Sequence, residues 1–217
     1  MGSGTKKEYL AIEGTPVLVK TLTAFFRATS FEEVVITVPD EHEDRVRTLI
    51  DEGLAQEYAP EREKIRIVAG GETRQESVHR GLSAFSASIE YSLIHDAARP
   101  WISVDLIRSV LRDCIANDAS IPVISITDAV KQIDLDGNIE GHLARNRTMG
   151  AQTPQAFSFP AILEAHRKAS TDGSSYLDDS EIYTRYVGPV HTVAGDPENI
   201  KITFPSDLRR GSREREE

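Results

Sequence analysis

The apolar positions of this chain follow two rhythms, one of helical spacing and one of short continuous runs. Val17, Leu18, Leu22, Phe25 and Phe26 share one face behind Thr15-Pro16, and a proline near the first turn suits the start of a helix. Glu33-Val-Val-Ile-Thr-Val38 is an apolar run stopped by Pro39, which predicts a buried strand. Asp40 is placed to cap a helix over about residues 41 to 55, with Glu43 at capping-box spacing. Lys64-Ile-Arg-Ile-Val68 predicts the next strand, and it runs into Ala69-Gly70-Gly71. Behind the glycines, Thr73 and Glu76 again have capping-box spacing. Tyr91-Ser-Leu-Ile94 predicts a third strand, Ser103 caps a helix to about residue 117 with Leu106, Ile107, Val110 and Leu111 inward, and Ile121-Pro-Val-Ile-Ser-Ile126 predicts a fourth strand. Repeated alternation of strand and helix predicts an α/β fold, a Rossmann-like, doubly wound and mostly parallel sheet.

After residue 126 the rhythm changes. Val130 to Leu135 alternates, Asp136-Gly137 is a hairpin turn signal, and Asn138 to Leu143 alternates back. A protruding β-hairpin arm over about residues 128 to 150 is the expectation. Such a ribbon has too little apolar surface to be stable alone, so it is expected to lie against a second subunit. The basic and amide groups from Arg145-Asn-Arg147 to Thr153-Pro-Gln155 either decorate the surface or close a site. Helices are predicted near 159 to 169 and 178 to 186, and short strands at His191-Thr-Val-Ala194 and Asn199-Ile-Lys-Ile-Thr203. The second of these places Lys201 among apolar neighbours, where a lysine takes an anionic partner or snorkels to water.

Two of these turns carry chemistry. The strand ending at Ile94 delivers His95-Asp96-Ala97-Ala98-Arg99-Pro100 to its carboxyl edge, which is where ligands sit in an open α/β sheet. Asp96 suits a metal, a ribose hydroxyl or a cation, Arg99 suits a phosphate, and Pro100 stops the strand. The plainer reading is an Asp96–Arg99 ion pair closing a turn. At Gly70-Gly71, free amides of a first helical turn face the same edge, with Arg74 and Ser77 on one helix face. The plainer reading there is an ordinary βα turn with an exposed arginine.

Composition narrows the classes. The 217 residues, 39% hydrophobic and 28% charged, suffice for one sizeable core, so residues 1–217 are expected to form a single domain. A formal net charge of −10 argues against nucleic-acid and anionic-membrane partners. Any bound anion must be met by local cations. A single cysteine, Cys114, builds neither a disulfide framework nor a cysteine metal cluster, fits a reducing cytoplasm, and is expected in the core. No apolar run is long enough to span a membrane and no signal-peptide pattern is present, so a soluble, cytoplasmic protein is expected. No Gly-x-Gly-x-x-Gly follows a strand, which argues against the dinucleotide dehydrogenases.

Lys7-Glu-Tyr-Leu10, Gly14-Thr-Pro-Val17, Gly70-Gly71 with Arg74 and Ser77, His95 to Pro100, Asp128 with Lys131, Arg145-Asn146, Thr153-Pro-Gln155, Asp178-Asp179 and Asn199 to Thr203 stand in one order and spacing. Over nearly the whole chain they resemble the 2-C-methyl-D-erythritol 4-phosphate cytidylyltransferases of isoprenoid precursor synthesis. Several single elements are shared with related sugar-alcohol phosphate cytidylyltransferases. The resemblance implies a single nucleotidyltransferase domain in which methylerythritol phosphate attacks the α-phosphorus of CTP and pyrophosphate leaves, with Mg²⁺ assisting through ligands it does not specify. It implies that Lys7 stabilises the five-coordinate α-phosphate, and that Arg145 and Lys201 hold the methylerythritol phosphate. Gly70, Gly71, Arg74 and Ser77 would frame the cytidine. Asp96, Ala97, Ala98 and Arg99 would line the substrate at the sheet edge, and Thr153 would add a hydroxyl. It further implies a homodimer whose arm hooks around the partner and brings the arginine across.

Two departures accompany the resemblance. Ala129 follows Asp128 where the family usually has threonine, which keeps a ribitol 5-phosphate cytidylyltransferase as an alternative. The family's opening strand and glycine-rich loop, Ala-Ala-Gly-x-Gly-x-Arg-Met-Gly, would end at Met1-Gly2, so the 217 residues alone are expected to be weakly active, and a non-catalytic homologue is a further alternative.

Overall fold

The structure, a computed structural model, describes residues 9–86, 88–204 and 206–210. Two short strands, β1 (Ala11–Ile12) and β2 (Thr15–Pro16), pair around Glu13 and Gly14, both at positive φ. Pro16 occupies the N-cap position of α1 (Val17–Ala28), so the helix begins as the sequence predicts. Val17, Leu18 and Leu22 are buried, whereas Phe25 and Phe26 are only half-buried.

β3 (Val34–Val38) is followed by α2 (Glu43–Gly53) and α3 (Ala59–Arg62) and pairs in parallel with β4 (Ile65–Ala69), Val34 opposite Ile65. Asp40 does not cap α2. It opens a 3-10 turn, Asp40–His42, and α2 starts behind it without a side-chain cap.

Next come α4 (Arg74–Ser83), β5 (Tyr91–Ile94), α5 (Val104–Asn117) and β6 (Ala119–Ser125). The expected Ser103 cap is present, accepting from the Leu106 amide at 3.3 Å. The hairpin follows as β7 (Lys131–Ile133) and β8 (Ile139–His142), antiparallel with Lys131 opposite His142. Asp134 Oδ1 closes its turn by accepting from the amides of Asp136 at 3.0 Å and Asn138 at 2.7 Å. The chain then forms β9 (Met149–Ala151), β10 (Gln155–Ser158), α6 (Phe159–Ala169), α7 (Asp179–Tyr186), β11 (His191–Ala194) and α8 (Asp207–Arg210).

The larger sheet has the order β11-β6-β10-β5. β10 runs against both β5 and β6, and β11 runs parallel to β6, so β5, β6 and β11 point the same way. The architecture is therefore α/β with a mostly parallel sheet, as the alternation of strands and helices predicts. The antiparallel neighbour of β6 comes in two pieces. Residues 119–120 face β10, residues 123–125 face β9, and Gln152-Thr153-Pro154, with a cis bond between Thr153 and Pro154, lies between. That interruption frees Thr153 to turn toward the end of β5.

Among the described residues no ladder joins the β3–β4 pair to the larger sheet. β3 and β5 instead line a common cavity of about 930 Å³ with Leu22 and Phe25 of α1.

Asn199–Thr203 is not a strand, contrary to its alternation. The segment is held by the Ile202 amide, which donates to Ala98 O at 2.8 Å, and by burial of Ile202 against Ile12, Val17 and Ala98. Cys114 packs in the core with Leu106, Ile107 and Val110, as expected. Burial pushes its thiol up to about 12. Among the described residues no helix is long and apolar enough to cross a membrane.

Candidate active site

β5 ends at Ile94, and the next residues turn tightly, the Arg99 amide donating to Asp96 O at 3.0 Å. Asp96 is the centre of what this edge assembles. Its Oδ2 faces Lys201 Nζ at 2.9 Å and Arg99 Nε at 3.4 Å, and its Oδ1 faces Arg74 Nε at 3.7 Å. The Asp96–Arg99 pair therefore exists, but as one part of a cluster drawn from the β5 turn, the start of α4 and the segment before α8. Burial works against the Asp96 carboxylate, yet the Lys201 hydrogen bond and the charges of Lys201, Arg74 and Arg99 hold it below its usual range. Among the described residues Arg99 and Lys201 meet only this carboxylate, while Arg74 is shared with Asp179, so the positive groups at the edge are Arg99 and Lys201 first.

A short hydrogen-bond chain stiffens this turn. The Asp96 amide donates to Thr153 Oγ1 at 3.2 Å, and Thr153 Oγ1 lies 2.9 Å from His95 Nδ1. An oxygen that already accepts the amide proton has its own proton to give, so Thr153 donates to Nδ1 and the ring proton sits on Nε2. There it faces Arg99 O at 3.4 Å. Burial pushes His95 down to about 4 despite the neighbouring Asp96 charge, in keeping with a neutral ring. Arg99 is anchored further by Nη1 donating to Asn199 O at 2.7 Å, and Asn199 Nδ2 donates to Thr153 O at 2.8 Å.

The glycine turn forms the second wall. Thr73 caps α4, accepting from the Glu76 amide at 3.1 Å. The return bond of the box is displaced by one residue, since Glu76 Oε2 accepts from the Glu72 amide at 2.8 Å and not from Thr73. A Cβ on Gly71 would stand 2.2 Å from Glu76 Cβ, so only glycine fits there. Ser77 Oγ accepts from the Gly71 amide at 3.0 Å and donates to Thr73 O at 2.9 Å. The Gly70 amide donates to Val38 O at 2.6 Å. The Ser77 hydroxyl thus shapes the glycine turn.

The predicted residues do not all converge. Arg74, Asp96, Arg99, Thr153 and Lys201 share one cluster, with Gly70, Gly71 and Ser77 at the foot of α4 beside it. Ala97 and Ala98 contribute backbone: Ala97 O accepts from Thr21 Oγ1 at 3.0 Å, and Ala98 is buried with its carbonyl on Ile202. Arg145 is exposed in a 3-10 turn, Arg145–Arg147, and among the described residues it has no contact with the Asp96 cluster. Lys7 lies outside the described residues.

Residue typing alone gives no role to Asp179 or His166. Arg74 Nη2 donates to Asp179 Oδ2 at 2.6 Å, and His166 Nε2 donates to Asp179 Oδ1 at 3.2 Å, with both Asp179 and His166 fully buried. Burial opposes ionisation of Asp179, but the His166 hydrogen bond and the Arg74 charge keep its pKa below the usual carboxylate value. Among the described residues no three acidic, histidine or cysteine side chains gather as a metal cradle. Asp96 already faces Lys201, Arg99 and Arg74, and Asp179 faces Arg74 and His166.

A family profile described as 2-C-methyl-D-erythritol 4-phosphate cytidylyltransferase matches residues 1–212. The chain is 37% identical over 211 residues to the bifunctional enzyme IspD/IspF of Rhodopseudomonas palustris (strain BisB5), covering 96% of this chain and 51% of the relative. It thus spans about half the length of the bifunctional relatives it matches. It is 38% identical over 209 residues to the 2-C-methyl-D-erythritol 4-phosphate cytidylyltransferase of Syntrophus aciditrophicus (strain SB), covering 96% of this chain and 87% of the relative. The crystal structure of 4-diphosphocytidyl-2C-methyl-D-erythritol synthase from Anaerococcus prevotii superposes with a TM-score of 0.83 at 29% identity, over 96% of this chain and 89% of that one.

Proposed function

The chain belongs to the 2-C-methyl-D-erythritol 4-phosphate cytidylyltransferase family, and from that premise we propose that it transfers CMP from CTP to 2-C-methyl-D-erythritol 4-phosphate, releasing pyrophosphate. The observation that carries this reading is the convergence of Arg74, Arg99 and Lys201 on Asp96 at the carboxyl edge of β5. A phosphate monoester is already an anionic nucleophile, so the reaction needs no strong general base. An oxygen of the monoester bonds to the α-phosphorus of CTP while the bond from that phosphorus to the bridging oxygen of the β-phosphate breaks. What the protein supplies is alignment and neutralisation of charge on the α-phosphate and the leaving pyrophosphate.

In this scheme Lys201 and Arg145 hold the polyol phosphate, and Lys7 stabilises the five-coordinate phosphorus. The small residues Gly70, Gly71 and Ser77, with Arg74, frame the cytidine, while their own amides are taken by Val38 O, Ser77 Oγ and Thr73 O. Thr153 and Arg99 keep Asp96 in place. Mg²⁺ is expected with CTP, because this ion is commonly held by substrate phosphates and one or two carboxylates. The described residues are a poor cage for it, since Asp96 is taken by cations, and no step is assigned to the metal. We further propose one nucleotidyltransferase domain, acting in the cytoplasm as a homodimer in which the 128–150 arm lies on the second subunit. The exposed Ile133 and Ile139 of the hairpin support that contact.

Pyrophosphate release from CTP tests the reading, with methylerythritol phosphate and ribitol 5-phosphate compared as acceptors. Turnover with the first, and with CTP in preference to ATP, GTP or UTP, is expected. Ala129 makes ribitol phosphate the necessary control, and higher kcat/KM with ribitol phosphate would replace the first acceptor by the second. No pyrophosphate with either acceptor would overturn the assignment.

A further inference from the structure

The contact between Arg74 and Asp179 reaches from the substrate edge into the core, and neither the glycine turn nor the Asp96 cluster requires it. Arg74 is the first residue of α4, and its side chain is partly exposed. Asp179 is the first residue of α7 and has no exposure at all. A carboxylate so deeply buried is costly unless it is paired and hydrogen-bonded. Both of its oxygens are met, Oδ1 by His166 Nε2 at 3.2 Å and Oδ2 by Arg74 Nη2 at 2.6 Å.

The start of α7 is itself tied to β10. Gln155 is buried, its Nε2 donates to Asp178 Oδ2 at 2.9 Å, and its Oε1 accepts from the Ser180 amide at 3.0 Å. Asp178 Oδ1 caps the helix by accepting from the Glu181 amide at 3.0 Å. Asp179 is therefore gripped on both sides along the chain by groups that cannot move independently of the sheet. Two residues before Gln155, Thr153 meets the Asp96 amide. The segment from Thr153 to Gln155 thus meets Asp96 directly and Arg74 through the start of α7.

A guanidinium held by Nη2 has its remaining directions set by its own plane. Nε turns toward Asp96 Oδ1, at 3.7 Å, and among the described residues Nη1 meets no protein acceptor. Arg74 is thereby held between Asp179 and Asp96 on the wall of the cavity that Ser77 and Asp96 also line. A lysine or a loosely held arginine would carry the charge without the direction.

We propose that Asp179, seated against His166, is a positioning residue that aims the Arg74 guanidinium at the nucleotide. This rests on the assignment of CTP to the Gly70–Arg74 turn. A purely structural ion pair would stabilise the fold without aiming anything.

The test is a double-substitution cycle on CTP affinity in the full chain, read by titration calorimetry. D179N is made alone and in an R74Q background, with the fold of each variant checked by amide NMR. The expected result is that D179N weakens CTP binding by about tenfold, the scale of one charge-assisted hydrogen bond, while in the R74Q background it adds no further loss. An unchanged Kd for D179N, or an equal loss with and without Arg74, would overturn the proposal. Should D179N fail to fold, D179E carries the same cycle, because its longer carboxylate displaces the guanidinium while keeping the charge. A wild-type chain that binds no CTP would sink the nucleotide assignment. In that event the Arg74 Nη resonances, expected to be resolved by restricted rotation in the wild type because Nη2 is bonded to Asp179 and averaged in D179N, still decide whether Asp179 fixes the guanidinium.

Discussion

Lys201 Nζ stands 2.9 Å from Asp96 Oδ2, on the same oxygen that faces Arg99 Nε at 3.4 Å. Two cations from distant parts of the chain share one oxygen, and Arg74 takes the other side of the carboxylate. D96N removes the charge and keeps the shape, so mutual repulsion among the cations is left uncompensated. A loss of stability on the order of 1–3 kcal/mol is expected in urea unfolding. Asp96 and Asp179 both have depressed pKa values when folded, so their stabilisation is complete above the unfolded carboxylate range and is lost as pH falls below it. Wild-type stability should therefore drop below about pH 4, and the drop should be shallower in D96N. Equal acid limbs in the two proteins would mean that Asp96 is not held by the cations.

His95 gives a second pH dependence, in a different window. Its folded pKa lies at about 4, against about 6.5 for an unperturbed ring. Above pH 6.5 both states are neutral and stability is flat. As pH falls from 6.5 toward 4 the unfolded chain takes up the proton first, and stability declines. H95N, which retains hydrogen-bonding capacity but does not titrate, should make that limb shallower between pH 7 and pH 5, leaving the part due to His79, whose pKa burial also lowers. A limb of wild-type slope in H95N would place the titrating group elsewhere.

The foot of α4 tolerates the two glycines differently. At Gly71 a methyl group would stand 2.2 Å from Glu76 Cβ, a clash with little room for relief, whereas at Gly70 the nearest atom is the Ser77 hydroxyl at 3.0 Å. G71A should cost about 1–3 kcal/mol and weaken CTP binding with it, because the turn must open. G70A should cost less, since a hydroxyl can rotate aside. Thermal melts and CTP titrations of the pair check the order, and a milder effect for G71A would show that the turn is adaptable.

These particulars show what residue patterns carry and where they stop. The strands at 34–38 and 65–69, the Ser103 and Thr73 caps and the hairpin turn at Asp136-Gly137 depend on neighbours in sequence, and periodicity with turn chemistry locates them. The Asp40 cap failed because a 3-10 turn satisfied the entrance to α2 instead. Asn199–Thr203 alternates like a strand, but its Ile202 amide donates to Ala98 O, a tertiary contact that no local pattern encodes. The same limit left Asp179 without a role, although Asp178-Asp179 stands among the residues that carry the family resemblance. Asp178 caps α7. Nothing in the spacing says that the next acid is buried against a histidine from α6 and an arginine from α4.

Lys201 and Arg145 have different settings and should separate on substitution. Lys201 contacts Asp96, so K201A should raise the KM for the polyol phosphate by about tenfold or more and also lower stability. Arg145 is exposed and away from the cluster in its own chain, so R145A should raise the same KM with no change in unfolding temperature. An unchanged KM in R145A would remove Arg145 from the site.

The hairpin carries the last prediction. Ile133 is 63% exposed and Ile139 58% exposed, and they face each other across the ladder between β7 and β8. Among the described residues no layer covers these two opposed isoleucines, and a two-stranded ribbon has little stability of its own. Burying them on a second subunit would supply the missing layer, since each buried aliphatic side chain is worth about 1.5–3 kcal/mol. I133D with I139D places two like charges in that patch. The double variant should sediment at half the wild-type mass at micromolar concentration and, if the arm brings Arg145 to the partner's site, should share the raised polyol phosphate KM of R145A. A wild-type chain that sediments as a monomer would remove the dimer. A variant that stays dimeric would move the interface away from this face of the arm.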